Sequence, residues 1–143
     1  MKKVYTDWIW RAATLTIGTS LVLVSPVASL HGQVGLERRI VQRQDLAIPG
    51  YEVVLVEVTL APGGTEGRHT HPGALIGRIL EGELTLEQEG LPTRTYRAGE
   101  SAVIDAGRVH EGKNHGKVPV MAFVTLVVPK GKPMTAQLDP KAP

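Results

Sequence analysis

Five side chains of the 143-residue chain could bind a metal through an imidazole nitrogen: His31, His69, His71, His110 and His115. There is no cysteine, which excludes thiolate nucleophiles, thiol redox chemistry and Cys-based zinc sites. Histidine and the carboxylates are left to do chemistry. His69 and His71 stand two apart in Arg-His-Thr-His. On an extended chain successive side chains alternate faces, so these imidazoles point the same way, about 7 Å apart along the backbone. Two rings so placed can meet one metal at N–metal distances near ~2.1 Å. Alone, a His-x-His pair is more often two solvated surface histidines than half of a metal site.

The elements around the pair read as β throughout. Residues 53–60 (VVLVEVTL) put Val54, Val56, Val58 and Leu60 on one face, and Ala-Pro-Gly-Gly at 61–64 ends that run. Two short runs, 74–80 and 83–88, flank Glu81-Gly82 as a hairpin. Strands follow at 93–97 and 101–104, with Ala98-Gly99 and Asp105-Ala106-Gly107 as turns, and 118–128 is a long apolar strand with Pro119 near its start. Short strands at regular spacing, without helical period, predict an all-β sandwich or barrel. The chain divides into 1–30, a leader; 31–50, an N-terminal extension or edge strand; 51–129, the barrel; and 130–143, a tail.

The leader has the form of an export signal. Lys2, Lys3 and Arg11 precede an apolar stretch from Ala12 to Val24, followed by Pro26 and Val27-Ala28-Ser29. A retained membrane anchor is the alternative, but the stretch is short and rich in Thr and Ser for a ~20-residue span. The expectation is cleavage between Ala28 and Gly32 and a periplasmic or secreted product, with no stable membrane association afterwards. Residues 1–29 hold three of the 16 basic and one of the 14 acidic residues, so 13 face 13 beyond them. That balance, with only 4% aromatic residues, argues against nucleic acid as a partner and leaves a small-molecule ligand or substrate.

The wider spacing of these residues resembles the cupin superfamily. Its first motif places Gly, five residues, His-x-His, three or four residues, Glu, six residues and Gly. Here Gly63, His69, His71 and Gly82 fall on it, and Leu75 stands where the family has Glu. The second motif is Gly, five residues, Pro, one residue, Gly, two residues, His, three residues, Asn. Gly99, Gly107, His110 and Asn114 fall on it, with Asp105 at the Pro position. Sixteen residues separate Gly82 from Gly99, a short gap of the kind small single-domain bacterial cupins have. The resemblance implies a double-stranded β-helix (jelly-roll) barrel in which His69, His71 and His110 ligate a divalent metal, Fe2+, Zn2+, Ni2+ or Mn2+. It also raises a homodimer.

Leu75 removes a negative charge from such a site, which then favours an anionic ligand and disfavours hard, oxygen-preferring Mn2+ relative to Zn2+, Cu2+ or Fe2+. Gly77, on the same face, widens the pocket wall. His115 and Arg78 have the wrong strand parity to replace the carboxylate, Glu66 is expected as a solvated loop carboxylate, and Glu81, Glu83, Glu87 and Glu89 as a solvated hairpin edge. Three functions remain open: a dioxygenase-type oxidoreductase acting on a small anionic substrate, a non-catalytic ligand-binding module, and a zinc-dependent lyase or hydrolase. The catalytic residues beyond the ligands stay undetermined.

Overall fold

The computed structural model describes residues 33–138; the leader, the expected cleavage region and His31 lie outside them. Among the described residues ten strands form in chain order: β1 (Val34–Asp45), β2 (Tyr51–Thr65), β3 (His69–Thr70), β4 (Leu75–Glu81), β5 (Glu83–Gln88), β6 (Arg94–Arg97), β7 (Ser101–Ile104), β8 (His110–Lys113), β9 (Val120–Pro129) and β10 (Ala136–Gln137). Every pairing is antiparallel. One layer runs β1-β2-β9-β4-β7 and the other β10-β3-β8-β5-β6; the far end of β2 passes between them, where Thr65 pairs with Lys113. This is the all-β double-stranded β-helix that the family resemblance implies.

The period-2 pattern of β2 accounts for most of one inner face. Val54, Val56, Val58 and Leu60 are all buried, and they meet Leu75 and Ile79 of β4, Ala102 and Ile104 of β7, and Val120, Ala122, Leu126 and Val128 of β9. Leu86 of β5 and Tyr96 of β6 close the core from the second layer. Aliphatic burial of this kind stabilises by roughly 1.5–3 kcal/mol per side chain, which lets the domain stand without disulfides.

Two elements differ from the sequence expectation. The run at 53–60 was to end at Ala-Pro-Gly-Gly, yet β2 continues to Thr65. Gly63 turns left-handed (φ +72°), and the β1–β2 register slips between Val34 and Leu36, so the strand absorbs Pro62 as a bulge and resumes. Asn114 holds that bend. Its side-chain amide donates to the carbonyls of Leu60 and Val118, both at 2.9 Å, and its Oδ1 accepts from Gly116 N–H. It is 1% exposed and takes no part in the metal-ligating group. The second difference is at the C-terminus, where β10 emerges from the tail and pairs with β3, Ala136 opposite Thr70 and Gln137 opposite His69.

Candidate metal centre

β3 presents His69, with His71 one residue beyond it on the same face, and β8 opens at His110. The β3–β8 ladder sets His69 directly opposite His110. The turn before His110 is tight: Gly107 has φ +74°, its N–H donates to the His71 carbonyl at 2.8 Å, and Arg108 N–H donates to the Asp105 carbonyl at 3.1 Å. The structure thus brings His69, His71 and His110 together, with one ring nitrogen of each within 4.8 Å of the others. All three are buried, at 1%, 6% and 3% exposure.

Each ring is oriented by a backbone carbonyl. His69 Nδ1–H donates to Gly67 O at 2.7 Å, His71 Nδ1–H to Met134 O at 2.7 Å, and His110 Nδ1–H to Arg108 O at 2.9 Å. A carbonyl oxygen can only accept, so the proton sits on Nδ1 and the Nε2 lone pair of each ring is left free. That arrangement fixes both tautomer and ring direction, as in metal-ligating histidines generally. Burial, then the neighbouring imidazoles, hold His69 down to about 3. Burial lowers His71 to about 4 and also lowers His110. The rings are neutral at ordinary pH, so a cation need not displace protons to bind.

Leu75 and Gly77 line the cavity that holds the three rings, a space of about 100 Å³ walled mostly by aliphatic side chains such as Ile79, Ile104 and Leu126. A Cβ at Gly77 would lie 3.7 Å from Val124 Cγ2, so glycine leaves room for about one methyl there. The donor set is therefore three neutral nitrogens, with no carboxylate in the group among the described residues. This composition fits a divalent transition ion of borderline softness, with positions left for a further ligand.

Glu66 is not the solvated loop carboxylate expected. It faces the cavity, accepts a hydrogen bond from Gly112 N–H, and burial pushes its carboxyl above the usual range, with Arg38 opposing that shift. A Cβ at Gly112 would collide with the Glu66 carboxylate, so glycine there makes the space the carboxyl occupies. Arg38, on β1, lines the same cavity. The signal for Arg38 lay in the alternation Leu36-Arg38-Ile40, but its face could not be assigned before β1 was registered on β2. Met134 and Thr135, which reach His71, had no local signal at all.

The other charged residues that the sequence singled out do not line the cavity. His115 and Arg78 are exposed. Asp105 pairs with Arg108 at 2.7 Å, Glu83 with Arg97 at 2.9 Å, Glu87 with Lys113 at 2.8 Å, and Glu89 approaches Arg68 at 3.9 Å.

A family model described as Cupin domain matches residues 56–128. Germin-like protein subfamily 2 member 2 of Arabidopsis thaliana is 41% identical over 80 residues, covering 50% of this chain and 36% of that protein. Oxalate oxidase 1 of Hordeum vulgare is 38% identical over 81 residues, covering 51% and 40%. The chain thus spans two fifths or less of the length of these two relatives. A protein with a double-stranded β-helix domain from Klebsiella pneumoniae superposes with a TM-score of 0.56 at 25% identity, over 76% of this chain and 85% of that one.

Proposed function

The chain belongs to the cupin family, and from that premise we propose that it is an exported, metal-dependent oxidoreductase acting on a small anionic substrate with O2 as oxidant. The observation that carries this reading is the set of three buried, neutral imidazoles, each with Nδ1–H tied to a backbone carbonyl. No hydrogen bond from the described residues takes up the three Nε2 lone pairs, which leaves them for a cation. The similarity to an oxalate oxidase supports a carboxylate substrate and redox chemistry. Export rests on the basic, apolar and small-residue sections of residues 1–29.

His69, His71 and His110 would hold the ion, Fe2+ in the oxidase reading, which when bound supplies Lewis acidity and one-electron chemistry. The protein's part is to fix the rings, to exclude water with the aliphatic walls around Leu75, and to offer Glu66 as a proton-exchanging group inside the same cavity. The net +2 charge of a carboxylate-free centre favours an anion.

The test is metal analysis after reconstitution with Fe2+, Zn2+, Ni2+ and Mn2+, alongside His69→Ala and His110→Ala, followed by oxygen uptake with carboxylate substrates. One metal per chain in the wild type, lost in both variants, and oxygen uptake with Fe2+ are expected. Retention of metal without uptake would leave a ligand-binding module, which the apolar Leu75 wall also suits. Failure to retain any of the four ions would overturn the metal reading.

A further inference from the structure

The cavity has a cation that the three-histidine centre does not account for. Arg38 and Arg39 are consecutive on β1, and strand parity sends them to opposite faces. Arg39 lies opposite Glu57 in register and pairs with it outside the barrel at 2.8 Å. Arg38 lies opposite Val58, between Leu36 (opposite Leu60) and Ile40 (opposite Val56). Leu36 packs on the core, while Arg38 and Ile40 line the cavity. Arg38 keeps solvent contact, which places it at the cavity mouth rather than at its floor.

We propose that Arg38 is the anion-recognition residue of this site and that it selects a short monocarboxylate with an apolar body. The inference deepens the functional reading above and rests on it for the metal, but the anion subsite is a separate set of atoms. Arg38 lines one cavity with Glu66 and the three imidazoles, so a ligand held there meets the cation and the rings together. A carboxylate spanning that space meets Arg38 with the fork geometry a guanidinium provides.

Size and lining decide the rest of the ligand. About 100 Å³ is several times the roughly 10–15 Å³ that a single water needs, so a small organic anion fits. Beyond Arg38, Glu66, Thr135 and the three rings the walls are hydrocarbon. A second carboxylate reaching into them would lose its hydration without a partner. An aliphatic chain packs there instead.

The experiment is calorimetric binding of pentanoate, pentanamide and glutarate to Zn2+-loaded protein, which separates recognition from turnover. Pentanoate is expected to bind at least tenfold more tightly than glutarate. Arg38→Gln should weaken pentanoate ten- to hundredfold, the range of a lost charge-assisted hydrogen-bond pair, with pentanamide changed less than twofold and zinc content unchanged. Arg39→Gln, altering the outward neighbour, should leave all three ligands unaffected, and Arg38→Lys should restore part of the pentanoate affinity. Equal loss of pentanoate and pentanamide in Arg38→Gln, no loss in either, or glutarate binding as tightly as pentanoate would overturn the proposal. If zinc binds and pentanoate ignores Arg38, only this inference fails. If the protein retains no metal, the same ligands on the protein as purified decide it, and Arg38-dependent binding there would sink the metal reading alone.

Discussion

Acidifying the metal-free protein from pH 7.5 to pH 5.0 should destabilise it by about 4 kcal/mol through His69 and His71. An unfolded imidazole titrates near 6.5, whereas burial holds the native rings at about 3 and about 4. Between these values the unfolded chain binds more protons than the folded one, so stability rises with pH across that window and is lost as pH falls below about 6.5. A pH of 5.0 lies about 1.5 below the unfolded value, and there both rings are still mostly neutral in the native state. At 1.36 kcal/mol per unit that is roughly 2 kcal/mol for each. His110 shifts in the same direction and adds to the loss. Glu66 works oppositely: its raised native pKa means the folded state takes up a proton first as pH falls, which favours folding. Urea unfolding is the assay. With a slope near ~2 kcal/mol/M the midpoint should fall by about 2 M, and further in Glu66→Gln, where the opposing group is gone. An unchanged or rising midpoint at pH 5.0 in both proteins would refute the view that these rings are buried and neutral.

The other expectations concern the cavity wall and the C-terminal strand. Leu75→Glu restores a carboxylate at the family position and should raise Mn2+ retention at least tenfold, while lowering the melting temperature of the metal-free protein because an unpaired carboxyl is buried. Unchanged Mn2+ affinity would mean that residue 75 does not face the ion. A chain ending at Pro133 loses the Met134 carbonyl that orients His71 and should bind Zn2+ about 10–100-fold more weakly, as read by chelator competition. Affinity within twofold of the full chain would show that β10 does not support the site.

The local strands were legible because their signals are local. Val54, Val56, Val58 and Leu60 alternate with period 2, and Glu81-Gly82 marks a hairpin whatever surrounds it. The histidines were legible for a different reason. His69 and His71 share a face by strand parity, but His110 joins them only through the spacing of Gly63, Gly82, Gly99, Gly107 and Asn114, which resembles a known barrel. Spacing carried that information because glycines at bends and a buried Asn114 amide are the points where this chain must turn.

Glu66, Arg38 and Met134 depended on contacts between elements distant in sequence. A carboxylate in a polar loop, Thr-Glu-Gly, reads as solvated; it is enclosed because Gly112 of β8, 46 positions on, leaves room for it. Arg38 and Arg39 are chemically identical neighbours, and only the pairing of β1 on β2 separates a cation at the cavity mouth from a surface ion pair. A tail with three prolines gives no hint that one of its carbonyls orients His71. The sequence by itself determined which residue types could bind a metal, on which strands they lie and that the family carboxylate is absent. Tertiary structure alone decided the burial that neutralises the imidazoles, the carbonyls that aim them and the two charges that share their cavity. Burial, hydrogen-bond direction and long-range register belong to pairs of segments and not to either segment alone.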